Sequence, residues 1–153
     1  MKKNKPFPVH LLLILMLFLA SGGIYGGVML IADPSGNSIG LDMNLLQHAP
    51  FNNYLLPGII LILFNGIFPL VIFYSLAFHP VWKWPVSINI YKDQYWGWTF
   101  ALYCGLILSI WINVQILLIG ALGGIQGFYG LLGTVIVIIT LMPSCKQFYS
   151  VNS

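Results

Sequence analysis

The chain contains no arginine and no glutamate. Six lysines, three aspartates and three histidines are its only charged or readily ionised side chains. At 6% charged residues, against roughly a quarter in soluble domains, it cannot build an ordinary water-facing surface. The lysines (Lys2, Lys3, Lys5, Lys83, Lys92 and Lys146) are scattered over three segments. A formal charge of +3 without a basic stripe excludes a nucleic-acid footprint. There are two cysteines, Cys104 and Cys145, and no CxxC. The first is expected inside an apolar segment and the second at the end of another, so neither a disulfide framework nor a dithiol redox motif is available.

What remains is 59% hydrophobic and is organised into four long apolar runs. A bilayer-spanning helix needs about 20 apolar residues, and runs over 9–32, 55–78, 95–119 and 125–142 supply them without a lysine or aspartate in any. Backbone groups in lipid must be satisfied within the segment, so each run is expected as a helix. The fold class expected is an all-α membrane protein of one domain, 1–153, forming an antiparallel bundle of four transmembrane helices. The N-terminus also resembles a secretory signal, with Lys2-Lys3-Asn4-Lys5, an apolar stretch, then Ala20-Ser21-Gly22. The apolar stretch continues through Ile31, and this length favours a retained span.

All six lysines fall on one side of such a topology. They precede the first run, lie between the second and third, or follow the fourth. Positive charge is retained in short cytoplasmic loops, so both termini and the 79–94 loop are expected in the cytoplasm, as in a plasma-membrane protein. That inner loop is rich in aromatics: Trp82, Trp84 and Tyr91, then Tyr95, Trp96 and Trp98 just beyond it. Such rings favour the head-group layer. Pro80 and Pro85 oppose a long helix there. Gly120–Gly124 makes the last two spans a hairpin.

The outer loop, 33–54, opens with Asp33-Pro34-Ser35-Gly36, a turn sequence. Asp42 is a candidate N-cap for a short amphipathic helix through His48, with Met43, Leu46 and Leu45 toward one face. The loop carries too many apolar groups to remain in water.

The order Asp-Pro-Ser-Gly, then Pro50-Phe51 with Leu56-Pro57-Gly58, then Trp111-x-x-x-Gln115 resembles a group of small, uncharacterised four-span proteins of bacterial inner membranes. The likeness covers nearly the whole chain. It implies a fold and a location but no activity, because that group has none assigned. The chain is unlike claudins, since its outer loop lacks tryptophan and cysteine. It is unlike vitamin K epoxide reductases, which need paired cysteines.

Two sets of residues stand out. Gly22, Gly23, Gly26 and Gly27 in the first span, and Gly97, Ala101, Gly105 and Ser109 in the third, form small-residue stripes that allow close helix approach. They serve either packing within the bundle or association with a second copy or a partner membrane protein. The second set is polar. Asn65, Asn113, Gln115 and Gln126 lie toward the outer side of their spans, with Trp111 one turn from Gln115. Intramembrane polar groups mark functional sites or act as interhelical glue worth about 0.6 kcal/mol each. Catalysis has little to draw on. The aspartates divide between the two sides, and only His48 among the histidines faces outward. No converging set of metal ligands or nucleophile and base is expected, hence no enzyme and no cofactor. The reading from sequence is a non-enzymatic membrane accessory protein. The alternative is a small-molecule or lipid-binding protein, with a role in transport open to it, using the outer polar cluster. Membrane lipids are partners in either case.

Overall fold

The computed structural model describes residues 4–121 and 123–151; Lys2 and Lys3 lie outside them. It is an all-α bundle of four membrane-spanning helices: α1 (Phe7–Ala32), α2 (Leu55–Phe78), α4 (Trp96–Ile119) and α5 (Gly124–Leu141). Two short helices sit at the end of the bundle that carries both chain termini: α3 (Lys83–Ser87) between α2 and α4, and α6 (Pro143–Phe148) after α5. The opposite end carries the 33–54 loop.

Helix limits differ from the expected spans by at most two residues. α1 starts at Phe7 because Pro8 falls in the first turn, where a missing N–H has no partner to lose. Pro69 withdraws the donor that would bond the Asn65 carbonyl, and one turn upstream α2 widens into a π-turn at Ile62–Ile67.

The helices follow one another around the bundle in the order α1, α2, α4, α5, each packed on the next. The seams are built differently. α1 and α2 approach backbone to backbone. A Cβ on Gly23 would collide with the Asn65 carbonyl, and one on Gly27 would lie 2.8 Å from the Gly58 carbonyl. α4 and α5 are zipped in the same way: a Cβ on Gly105 would lie 2.9 Å from the Gly133 carbonyl, and one on Gly133 2.6 Å from Ser109 Oγ. Both small-residue stripes therefore face neighbouring helices of the same molecule. Of the glycines at 123, 127, 130 and 133, only Gly133 makes such an approach; Gly123 and Gly127 have open space where a Cβ would go.

These two hairpins join firmly only at the termini end. There Gly97 abuts Ser75, and α2 meets α4 chiefly through its Phe68–Phe78 half. The main core lies at this end. Its centre is Trp98, 1% exposed, whose indole N–H donates to the Thr140 carbonyl at 2.7 Å. Trp96 and Trp98, expected in the head-group layer, are both buried from different sides of α4, Trp96 under the rings of Trp82 and Trp84 and Trp98 between Tyr91 and α5. Trp82 stacks on Trp96 from outside, with ring centroids 5.6 Å apart. The C-terminal segment is tied back: Tyr95 N–H donates to the Tyr149 carbonyl, and Tyr149 O–H to the Leu76 carbonyl. A smaller apolar cluster of Leu30, Leu46 and Tyr54 closes the loop end.

α2 ends at His79, the one non-glycine residue with positive φ among those described, at 53°. Its ring lies 5.1 Å from that of Tyr95 and 5.4 Å from that of Tyr149. Desolvation against these rings, then the nearby Lys5 ammonium, holds its pKa below the ordinary value of 6.5. A depressed histidine pKa means that the unfolded chain takes up the proton first. Stability is then complete above pH 6.5 and falls as the pH drops from there through the folded value. His79→Asn, which keeps a residue tolerant of positive φ, should flatten the fall in thermal midpoint between about pH 6.5 and 5. An unchanged slope would contradict this. The seams give a second expectation. Gly23→Ala should destabilise by at least the 1–3 kcal/mol of an overpacked core, because backbone stands opposite. Gly127→Ala should be neutral or stabilising, by up to about 1 kcal/mol. Equal effects in thermal unfolding would refute the difference between the seams.

Candidate ligand-binding site

Because the hairpins are joined at one end, they enclose space at the other. A cavity of about 350 Å³ lies under the 33–54 loop, bounded by all four spanning helices. Ligand sites commonly fall in the range of about 300–1,000 Å³. The floor is set by Gly23, Asn65 and Leu108. The walls include Trp111 and Gln115 from α4 and Gln126 and Tyr129 from α5, and the loop supplies a roof of Ile39, Leu41, Leu46, Phe51 and Tyr54.

The roof is held by local hydrogen bonds. The Asp33 carboxylate accepts from the backbone N–H of Ser35 at 3.1 Å and of Ser38 at 2.9 Å, and from the Ser35 hydroxyl. The Ser35 hydroxyl, then the Ser38 N–H, hold the Asp33 carboxyl below its ordinary pKa. Gly36, at φ 80°, turns the chain against the Tyr54 ring, which leaves no room for a side chain there. Tyr54 is the pin: its N–H donates to the Pro34 carbonyl at 2.9 Å and its O–H to the Asp42 carbonyl at 2.7 Å. Burial, then the charge of Asp42, raises its phenol pKa, so the pin stays protonated and donating through neutral pH.

Asp42 does cap a helix, accepting from Asn44 N–H at 2.9 Å. The helix is one 3-10 turn, Met43–Leu46, in place of the longer amphipathic helix expected through His48. Pro50 disfavours helical geometry at Ala49, which leaves too few residues to propagate. Leu46 alone of the turn is buried and Met43 is exposed.

Four of the five expected polar-site residues meet in this cavity: Asn65, Trp111, Gln115 and Gln126. Asn113 does not. It sits on the exposed side of α4 and donates to the Ser109 carbonyl at 2.8 Å, being two residues from both Trp111 and Gln115 and so on another face. The four are held differently. Gln126 donates to the Gly120 carbonyl at 3.3 Å. Asn65 is 4% exposed, stands on the π-turn, and its carboxamide makes no hydrogen bond to the described residues. Gln115 is half-buried and likewise unbonded. The Trp111 indole N–H is buried without an acceptor. Sequence reasoning missed Tyr25, Tyr54 and Tyr129. Tyr129 was within reach of it, one turn along the same helix from Gln126.

Among the described residues no lysine, histidine or aspartate lines the cavity, and no cluster of three metal-ligating side chains occurs. What it offers is an apolar surface with two free carboxamides, each both donor and acceptor. A second depression, between α2 and the 81–84 segment, is an open surface groove. Comparison with protein-family models, curated proteins and solved structures finds no match.

The orphaned indole generates a test. An unsatisfied buried donor costs about 1–3 kcal/mol. Trp111→Phe removes it while keeping a ring, so the unfolding midpoint of the purified protein should hold or rise. A loss of the 3–5 kcal/mol typical of truncating a core aromatic would show that the N–H has a structural partner.

Proposed function

We propose that this is a non-enzymatic, multi-pass membrane protein that binds a lipid-like small molecule in the cavity beneath its 33–54 loop. The observation that carries the reading is a mostly apolar cavity within the helical bundle with an unbonded, almost wholly buried Asn65 at its base. A carboxamide left without a partner in an apolar setting is expensive. Trp98, by contrast, is bonded to the neighbouring helix. π-turns are frequent at functional sites, and Asn65 stands on one. The lining side chains are amides, phenols, an indole and hydrocarbons. That set suits binding through hydrogen bonds and apolar contact.

For location, the reading is a bacterial plasma membrane with both termini cytoplasmic and the cavity toward the outer leaflet. Lys5, Lys83, Lys92 and Lys146 all lie at the termini end, the distribution that the retention of positive charge favours.

Native mass spectrometry of the protein released from its own membrane in mild detergent tests the function. The wild type should carry a bound mass of lipid size. Ala49→Phe, which pushes a ring from the roof into the cavity, should lose most of it while keeping its helical circular dichroism. A wild type with no bound mass, or a mass retained equally by Ala49→Phe, would refute the reading.

A further inference from the structure

The cavity is not sealed on every side. Tyr25 of α1 and Ile125 of α5 both line it, yet they are 66% and 68% exposed. They mark a mouth at the seam between these two helices. Toward the termini end the same seam is shut: Tyr129 O–H crowds Gly22, and Phe18 meets Phe128 edge-on at 5.8 Å. The mouth therefore opens sideways, at membrane depth, and not through the roof, which Tyr54 pins shut.

Depth limits what can enter. At 1.5 Å per residue, Gln115 lies about 6 Å and Asn65 about 15 Å inside the ends of their helices. No lysine, histidine or aspartate lines the cavity. An ionised phosphate or carboxylate brought to Asn65 would be desolvated without a countercharge, at a cost far above what one carboxamide returns. A hydroxyl or carbonyl oxygen has no such penalty, and the two unbonded carboxamides of Asn65 and Gln115 complement either.

Resting on the lipid-binding reading, we propose that the occupant is an uncharged, oxygen-bearing lipid. It enters laterally past Tyr25 and Ile125, sets its hydroxyl or carbonyl against Asn65 and Gln115, and leaves its hydrocarbon chain along the α1–α5 seam. Charged phospholipids are refused at the site because the cavity holds no cation for the head group.

The test uses the full chain in nanodiscs with two diazirine-bearing probes, a diacylglycerol and a phosphatidylglycerol, matched in acyl chains. Adducts are counted by intact mass and mapped by peptide sequencing. The diacylglycerol probe should label residues of α1 and α5 near the mouth, with the phosphatidylglycerol probe at a tenth of that yield or less. Asn65→Leu should lower the diacylglycerol yield about tenfold. Should that variant misfold, Gln115→Leu and the mouth-plugging Ile125→Trp, both at accessible positions, should each lower it several-fold. Equal mapped labelling by both probes, lost in Ile125→Trp, would leave lipid binding intact and overturn the selection against charge. Labelling that no cavity substitution changes, or none at all, would overturn both.

Discussion

The structure depends on backbone meeting backbone at two helix crossings. In lipid, burying hydrocarbon against hydrocarbon gives helices little reason to associate, and close van der Waals approach takes that role. Gly23 and Gly27 let α1 lie directly on the α2 main chain at Asn65 and Gly58, and Gly105 and Gly133 do the same for α4 and α5. A single methyl group on the wrong glycine separates these surfaces. Each pair of helices is thereby a closed unit, and the remaining geometry follows from how the two units are joined.

They are joined asymmetrically. At the termini end Gly97 on Ser75, the buried Trp96 and Trp98, and the returning C-terminal segment lock α2 to α4. At the loop end the 33–54 loop spans the opening between them, with Tyr54 pinned to Pro34 and Asp42. The same glycine crossing that fixes α1 on α2 sets the Asn65 π-turn at the floor of the resulting space. Packing and site are thus one arrangement: Gly23 holds the segment whose carboxamide has no partner.

The spans and their antiparallel order were legible because lipid imposes length and apolarity directly on sequence. Asp42 as a cap and Asp33-Pro34-Ser35-Gly36 as a turn were legible for the same kind of reason, since each acts within a few residues. Gathering Asn65, Trp111, Gln115 and Gln126 was possible from depth alone. Asn113 shared that depth, and only helical phase relative to Trp111 excludes it. What escaped the sequence depended on partners far away in the chain. The burial of Trp96 and Trp98 requires α5 and the stacked Trp82. The part of Tyr54 as a pin requires the Asp42 carbonyl. Two glycine stripes were visible, but periodicity does not say whether a groove meets its own chain or another's. Nor does a glycine by itself mark a crossing: Gly133 meets α4, while Gly123 and Gly127 border open space.

The central claim is that two zipped hairpins hold open a lipid-accessible cavity beneath the loop. It is tested most directly by an experimental density map of the full chain in nanodiscs made with its own membrane lipids. The account predicts elongated non-protein density running from Asn65 and Gln115 to the gap between Tyr25 and Ile125. A bundle in which α2 and α4 close on each other up to the loop, or a cavity holding only separate water-sized peaks, would contradict it.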